Sequence, residues 1–161
     1  TMNETKRNVR VLLTIVHDGE KTVVDAPGEA ILKGNEWVVR YRETSPDLAG
    51  VATTLVLSPD GIAVLREGTV RSEQRFAAGH SLAGYYETPF GAFALNTRTS
   101  RLAVRFGGGK PAAAGASASG GETAEGAAAA FGEAEWAYEL IIGGAAAGTF
   151  HAALLVQEAE E

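Results

Sequence analysis

The sequence predicts an all-β protein, a closed antiparallel up-and-down β-barrel of about eight to ten strands. In most segments large apolar residues alternate with polar or small ones, which is the period of a half-buried strand. Turn signals rich in glycine and proline separate these segments at roughly eight to twelve residues, as in antiparallel sheets. An open sheet of this size would leave unpaired edges, so closure is favoured over the alternative, a two-layer β-sandwich.

The clearest single unit is a hairpin over residues 81–97, SLAGYYETPFGAFALNT. Its corner is TPFG at 88–91, where proline presets the first corner residue and glycine takes the last position of a type I turn. Apolar and aromatic residues alternate with small or polar ones on both sides of this corner. The pattern predicts two strands paired across it.

The strands before this hairpin are predicted from alternation and from the turn signals between them. In the first, Val9, Val11 and Leu13 share one face, which we expect to be buried. Pro27-Gly28 is predicted to end a short strand, because proline and glycine interrupt regular pairing. The predicted strands of this part are residues 9–17, 21–25, 29–33, 36–43, 51–58, 62–66 and 69–76.

The part after the hairpin contains a change of register and a long loop. The apolar residues change parity between Leu95 and Leu102, which predicts a bulge or bend near 96–100. Residues 107–132 are rich in glycine and alanine and have almost no large apolar residue, so we expect a mobile loop. We expect residues 2–161 to form a single β-barrel domain. The remaining predicted strands are 101–106, 133–142 and 149–156.

Composition excludes several classes of function. A formal net charge of −6 argues against a nucleic-acid partner, because binding phosphates requires a basic surface. The chain has no cysteine, which excludes a disulfide-rich secreted module and a thiolate zinc site. No apolar run is long enough to span a bilayer, and the opening TMNETKRNVR lacks the apolar region of a signal peptide. We therefore expect a cytoplasmic protein that binds neither nucleic acid nor a membrane.

Motifs that carry catalysis or bind metals are not recognisable in the sequence. His17, His80 and His151 stand far apart and lack the spacing of metal ligands, so we expect no metal and no cofactor. The G-x-S-x-G motif of nucleophilic serine hydrolases does not occur. We therefore predict that the protein is not an enzyme, and we assign no catalytic residue.

Two segments resemble a known family. They are ATTLVLSPDGIAVLREGTVRSEQRF at 52–76 and GYYETPFGAFALNT at 84–97. In these residues the chain resembles the YwiB-like family, small bacterial proteins of unknown function with a calycin-type, lipocalin-like β-barrel. The resemblance implies that fold and an intracellular bacterial setting, and it supplies no catalytic residue. The chain departs from the family at residues 107–132, which look like an expanded loop.

Polar residues on otherwise apolar strand faces are the most informative irregularity. Arg66 shares its face with Ile62 and Val64, and Gln74 shares its face with Phe76. If these faces point into the barrel, Arg66 needs a protein partner, water or an anionic ligand, because an unpaired buried guanidinium is costly. The alternative is that its long side chain reaches solvent at the strand end.

Barrels of about eight strands either fill their interior with side chains or admit one ligand. We therefore predict a barrel that binds a small, mainly apolar ligand with a polar or acidic head. The alternative is a solid barrel that acts as a protein-interaction or homodimerisation module, and an interior cavity would decide between the two. The candidate ligand-binding residues are Trp37, Tyr41, Arg66, Gln74, Trp136 and Tyr138.

Overall fold

The computed structural model describes residues 5–44, 46–106 and 130–159, and in these ranges it contains ten β-strands and one short 3₁₀-helix. No helix in these ranges has the length and apolar character needed to cross a membrane. The strands are β1 (Thr5–His17), β2 (Glu20–Lys33), β3 (Glu36–Arg42), β4 (Ala52–Ser58), β5 (Gly61–Glu67), β6 (Arg71–Phe76), β7 (Ser81–Thr88), β8 (Gly91–Phe106), β9 (Ala130–Ile142) and β10 (Ala145–Glu158), and the helix is Pro46–Leu48.

The ten strands close into a barrel. Each strand pairs antiparallel with its neighbours in the chain, and β10 pairs with β1 to complete the circle. In the closing pair, Val11 lies opposite Val156 and Leu13 lies opposite Leu154, and all four side chains are buried. The predicted fold class, a closed up-and-down barrel, is confirmed, and the two-layer sandwich is excluded.

β2 is one long strand, and the predicted break at Pro27-Gly28 was wrong. Pro27 lies opposite Arg10 of β1, whereas pairing with β3 begins only at Gly28. Proline is tolerated where one edge of a strand has no ladder partner, because its missing N–H is not needed there. At Gly28 a side chain would clash with the carbonyl oxygen of Arg40, so glycine is required where the two strands first meet.

The predicted hairpin at residues 81–97 is formed by β7 and the first part of β8. Thr88 pairs with Gly91, so Pro89 and Phe90 are the turn residues. β8 then continues to Phe106, and its register against β9 shifts between Thr99 and Arg101. This shift lies at the end of the interval predicted for a bulge.

The last residues of the loop predicted at 107–132 belong to β9 instead. β9 begins at Ala130, and Phe131 is a buried residue of that strand. Residues 107–129 lie outside the described residues, so the prediction for them stays a prediction. β10 also begins earlier than predicted, directly after the corner at Gly143-Gly144.

One region of the barrel interior is closely packed by aromatic rings. Trp37 meets Phe131 edge to face at 4.7 Å and lies 5.9 Å from Phe106, measured between ring centroids. The guanidinium of Arg7 covers the Phe131 ring at 4.9 Å from its centroid. This region is therefore filled, and the free space of the barrel lies elsewhere.

Candidate functional site

A cavity of about 360 Å³ lies inside the barrel. Inward-facing residues of β1 and of β4 to β10 line it, and most of them are apolar. Ala152 of β10 lies opposite Trp136 of β9 and is fully buried, so a small side chain faces a large one across this pair. The strict alternation of the strands thus places apolar residues inside without filling the barrel.

Aromatic rings form one wall of the cavity. Tyr138 and Phe150 lie opposite each other in the β9–β10 pair and stack nearly parallel, with centroids 5.1 Å apart. Phe76 of β6 lies 4.7 Å from Tyr138 and 5.6 Å from Trp136. The ring of His17 extends the stack on the far side of Phe150 at 3.9 Å. These contacts fix the orientation of the wall.

A row of polar residues crosses the interior at one level. Tyr41, Thr53, Arg66 and Ser72 pair in succession across β3, β4, β5 and β6, so their side chains lie side by side and face inward. Tyr86 of β7 continues the row beside Ser72. The register of the hairpins therefore gathers polar groups that are far apart in the sequence.

Glu43, just after β3, compensates the charge of Arg66. Its carboxylate accepts hydrogen bonds from the Thr53 hydroxyl and from Arg66 Nε, the latter at 3.4 Å. The Glu43 side chain is 2% exposed and that of Arg66 is 22% exposed. The backbone N–H of Glu43 donates a hydrogen bond to the carbonyl oxygen of Val51 at 2.9 Å, which holds Glu43 next to the start of β4. Arg66 therefore has the protein partner that the sequence analysis required for a buried guanidinium.

Several buried polar atoms of the described residues are left without a hydrogen bond. Ser72 Oγ and Trp136 Nε1 both belong to cavity-lining residues, which are 4% and 3% exposed. Gln74, which also lines the cavity, donates from Nε2 to Thr97 Oγ1 at 3.3 Å. Within the described residues, the buried side-chain atoms without a partner are Tyr41 Oη, Ser72 Oγ, Thr99 Oγ1 and Trp136 Nε1.

Burial also changes the acidity of two tyrosines. It raises the pKa of Tyr138 to about 12, although the positive charge of Arg66 acts in the opposite direction. The pKa of Tyr41 is raised further, first by burial and then by the negative charge of Glu43. Both phenols therefore stay protonated near neutral pH.

The predicted ligand-binding residues fall into two groups. Arg66, Gln74, Trp136 and Tyr138 all line the cavity. Trp37 and Tyr41 are not among its lining residues, so their assignment to a ligand site stays a prediction. Trp37 is buried in the filled region against Phe131, and the Tyr41 hydroxyl lies beside Glu43. Alternation gives the face of the sheet on which a residue lies, but it does not give its height along the tilted strands.

Glu43, Ser72 and Tyr86 are polar residues of the site that the sequence analysis did not include among the candidates. Glu43 has the same parity as Trp37, Val39 and Tyr41, which indicates an inward carboxylate. The turn signal around Pro46 follows closely, so the alternation alone does not show whether the strand extends to Glu43. Ser72 has the same parity as Phe76, but nothing in the sequence marks its hydroxyl as unpaired.

The remaining surface of the described residues offers weaker sites. A depression of about 670 Å³, lined in part by Arg40, Arg42 and Glu67, is larger than the interior cavity but open to solvent. No group of three or more histidine, cysteine, aspartate or glutamate side chains in the described ranges could hold a metal ion. The interior cavity is therefore the candidate site, because it is more enclosed, its walls are mostly apolar, and Ser72, Trp136 and Tyr138 in its lining are buried.

Comparisons with known proteins support the β-barrel fold. Residues 9–111 match the model of a domain of unknown function, DUF1934. The uncharacterized beta-barrel protein YwiB of Bacillus subtilis (strain 168) is 32% identical over 101 residues, which cover 62% of this chain and 70% of that protein. The crystal structure of ywiB protein from Bacillus subtilis has a TM-score of 0.67 and covers 98% of this chain and 94% of its own, at 22% identity. At this identity the structural likeness concerns the fold alone.

Proposed function

Because the chain belongs to the DUF1934 family, whose function is unknown, we propose a function from its own geometry. The protein is a lipocalin-like, non-enzymatic binding protein that holds one small, mainly apolar ligand with a polar head inside the barrel. The observation that carries this proposal is the interior cavity of about 360 Å³ with buried, unpaired polar atoms in its lining residues.

The size of the cavity suits a small ligand. Ligand pockets in proteins usually measure about 300–1,000 Å³ and combine apolar walls with a few polar groups. This cavity, at about 360 Å³, lies at the lower end of that range. Since a water molecule occupies about 30 Å³ in the liquid, the space corresponds to a ligand of about a dozen non-hydrogen atoms.

The unpaired groups support binding over simple packing. A buried polar group without a hydrogen bond costs about 1–3 kcal/mol, and two such groups, Ser72 Oγ and Trp136 Nε1, belong to the cavity lining. A solid barrel would gain stability by replacing them with apolar side chains. A ligand that accepts hydrogen bonds from them offsets that cost.

The chemistry of the lining favours binding over catalysis. A general base works best when its pKa lies near the pH at which the enzyme operates. Burial raises the pKa of Tyr138 to about 12, which moves it further from neutral pH, so its phenol stays protonated and acts as a hydrogen-bond donor. Arg66, the charged residue of the described lining, is already held by Glu43. We therefore propose binding without turnover.

A cavity-filling substitution tests the proposal. Ala152→Leu places extra carbon atoms in the cavity, whereas Ala153→Leu makes the same change at the next residue of β10, which has outward parity. We expect 1-naphthylamine, a small fluorophore that is uncharged near neutral pH, to bind the wild type and Ala153→Leu, with binding to Ala152→Leu weakened by about tenfold or more. Equal binding to all three proteins would place the dye outside the barrel and contradict the proposal.

A second candidate function is homodimerisation. Phe90 at the tip of the β7–β8 hairpin is 95% exposed, and Phe93 is 44% exposed. Exposed aromatic residues of this kind favour protein contacts. Sedimentation velocity of the wild type and of Phe90→Ser tests this candidate: a dimer in the wild type that dissociates in the variant supports it, and a monomeric wild type rejects it.

The cytoplasmic location also stays a prediction, which fractionation of the source cells would test.

A further inference from the structure

We infer that the polar head of the ligand is an uncharged hydrogen-bond acceptor, such as an ester, ketone or amide carbonyl, and not a carboxylate or an ammonium group. This inference rests on the proposed function. It narrows the class of ligand that the sequence analysis left open, because that analysis allowed an acidic head beside Arg66.

The first argument is the charge balance inside the barrel. Among the described residues that line the cavity, Arg66 alone carries a charge. Its Nε lies 3.4 Å from the carboxylate of Glu43, which is almost completely shielded from solvent. The pair is neutral as a whole. A ligand carboxylate would add a second negative charge to this buried site, and a buried charge without its own counter-ion is strongly disfavoured.

An ammonium head is disfavoured for a different reason. Glu43 is not among the residues that line the cavity, whereas Arg66 is. A cationic ligand would therefore meet the guanidinium of Arg66 before it met the compensating carboxylate. Like charges at close range in a shielded site repel strongly.

The second argument is the kind of polar group that remains free. The indole Nε1 of Trp136 can only donate a hydrogen bond, and it has no acceptor within the described part of the chain. The hydroxyl of Ser72 is also unpaired, and the protonated phenol of Tyr138 belongs to the same lining. A guanidinium has five N–H donors, and Nε–H of Arg66 is the one directed at Glu43. The site therefore offers donors and requires an acceptor.

Position on the strands brings these donors to a common space. Arg66 and Ser72 are paired neighbours on β5 and β6. Trp136 and Tyr138 lie on the same face of β9, and Phe76 contacts both rings. The inference requires the ligand carbonyl oxygen to reach a donor of at least one of these two groups, while the apolar chain of the ligand lies against the rest of the lining.

The test uses methyl nonanoate and decanoate, together with decylamine. The ester and the carboxylate have the same numbers of carbon and oxygen atoms and differ mainly in charge. Displacement of 1-naphthylamine from the wild type near neutral pH measures the binding of each compound. We expect methyl nonanoate to bind at least about tenfold more tightly than decanoate, and decylamine to bind most weakly.

The variant Glu43→Gln removes the compensating charge and keeps an oxygen that can accept from Thr53 and Arg66. We expect it to reverse the preference, with decanoate bound more tightly than methyl nonanoate. The double variant Glu43→Gln/Arg66→Gln has neither charge, so it should still bind the ester more tightly than decanoate, although the loss of the Arg66 guanidinium donors weakens its binding of the ester. This second variant keeps the test decisive if an uncompensated Arg66 prevents folding.

The outcomes separate the inference from the function on which it rests. A wild type that prefers decanoate, a folded Glu43→Gln variant that keeps the wild-type preference, or a double variant that prefers decanoate overturns the inference and leaves a ligand-binding barrel. A wild type that binds 1-naphthylamine inside the barrel but none of the three compounds overturns the inference alone. A wild type that does not bind 1-naphthylamine overturns the proposed function.

Discussion

The carboxylate of Glu43 accepts a hydrogen bond from Arg66 Nε at 3.4 Å, and the two residues are separated by 23 positions in the sequence. Both belong to the polar region of a barrel interior that is otherwise mostly apolar. A buried ion pair contributes little net stability compared with apolar packing, because both charges lose their hydration. Its presence beside a cavity therefore supports the binding function proposed above more than a role in folding.

Removing one partner of this pair should strongly destabilise the protein. Glu43→Ala leaves the guanidinium of Arg66 without its counter-charge, and we expect the free energy of unfolding to fall by about 3 kcal/mol. Urea denaturation measures this change. The control is Glu139→Ala, which breaks an exposed pair with Arg98 at 3.9 Å and should cost less than about 1 kcal/mol.

The double variant Glu43→Ala/Arg66→Met checks the same explanation. Removal of both charges should recover much of the loss caused by Glu43→Ala, because no unpaired charge is left in the barrel. If the double variant is less stable than Glu43→Ala by the full cost of the second substitution, the two residues are not coupled and the account of this pair is wrong.

Ser72 should show opposite effects on stability and on binding. Its hydroxyl is buried and unpaired in the described structure, so Ser72→Ala should raise the free energy of unfolding by about 1 kcal/mol without ligand. The same variant should bind methyl nonanoate more weakly. Ser58→Ala is the matched control, because Ser58 Oγ donates to Gly61 O at 3.1 Å and its removal should lower stability by about 1 kcal/mol. A loss of stability in both variants would show that Ser72 has a partner.

Because of Tyr138, the free energy of unfolding should decrease at alkaline pH. Burial raises its pKa from 10.0 to about 12, so the folded state retains a proton that the unfolded state releases. The stabilisation is fully present below pH 10 and is lost as the pH rises towards about 12. The free energy of unfolding, measured against pH, should fall over this interval, and Tyr138→Phe should reduce the slope. Phe90→Leu, which changes an exposed side chain that does not titrate, should leave the slope unchanged.

Gly84 on β7 allows this strand to approach β6 closely. A Cβ at this position would clash with the carbonyl oxygen of Glu73, which belongs to the backbone and cannot move independently. We expect Gly84→Ala to lower the free energy of unfolding by about 1–3 kcal/mol or more. Ala83→Ser, a comparable enlargement at the exposed neighbouring residue, should change it by less than about 0.5 kcal/mol. Equal stability of the two variants would contradict the close approach.

The sequence predicts the barrel well because most strands have one apolar and one polar face. The same alternation correctly places Arg66 and Trp136 inside, since both share parity with large apolar residues. Trp37 was assigned to the ligand site by the same reasoning, yet it lies in the filled region. The height of a residue in a tilted strand depends on every turn and bulge between it and its partners, and these are the features a sequence determines least precisely.

The polar contacts were the least predictable part of the site. Glu43 and Arg66 meet because β3, β4 and β5 are joined by short connections in one particular register. A shift of that register by one residue would turn Arg66 to the outside. The wrong prediction at Pro27 has a similar cause, because the effect of a proline on β2 depends on whether β3 pairs with β2 at that residue.

A crystal structure of the protein with methyl nonanoate tests the central claim most directly. The account predicts one ligand in the interior cavity, with its carbonyl oxygen within hydrogen-bond distance of Trp136 Nε1, Ser72 Oγ or the Arg66 guanidinium. It also predicts an unchanged Glu43–Arg66 pair. A barrel interior in which side chains occupy the cavity, with the ester absent or bound only at the outer surface, would contradict it.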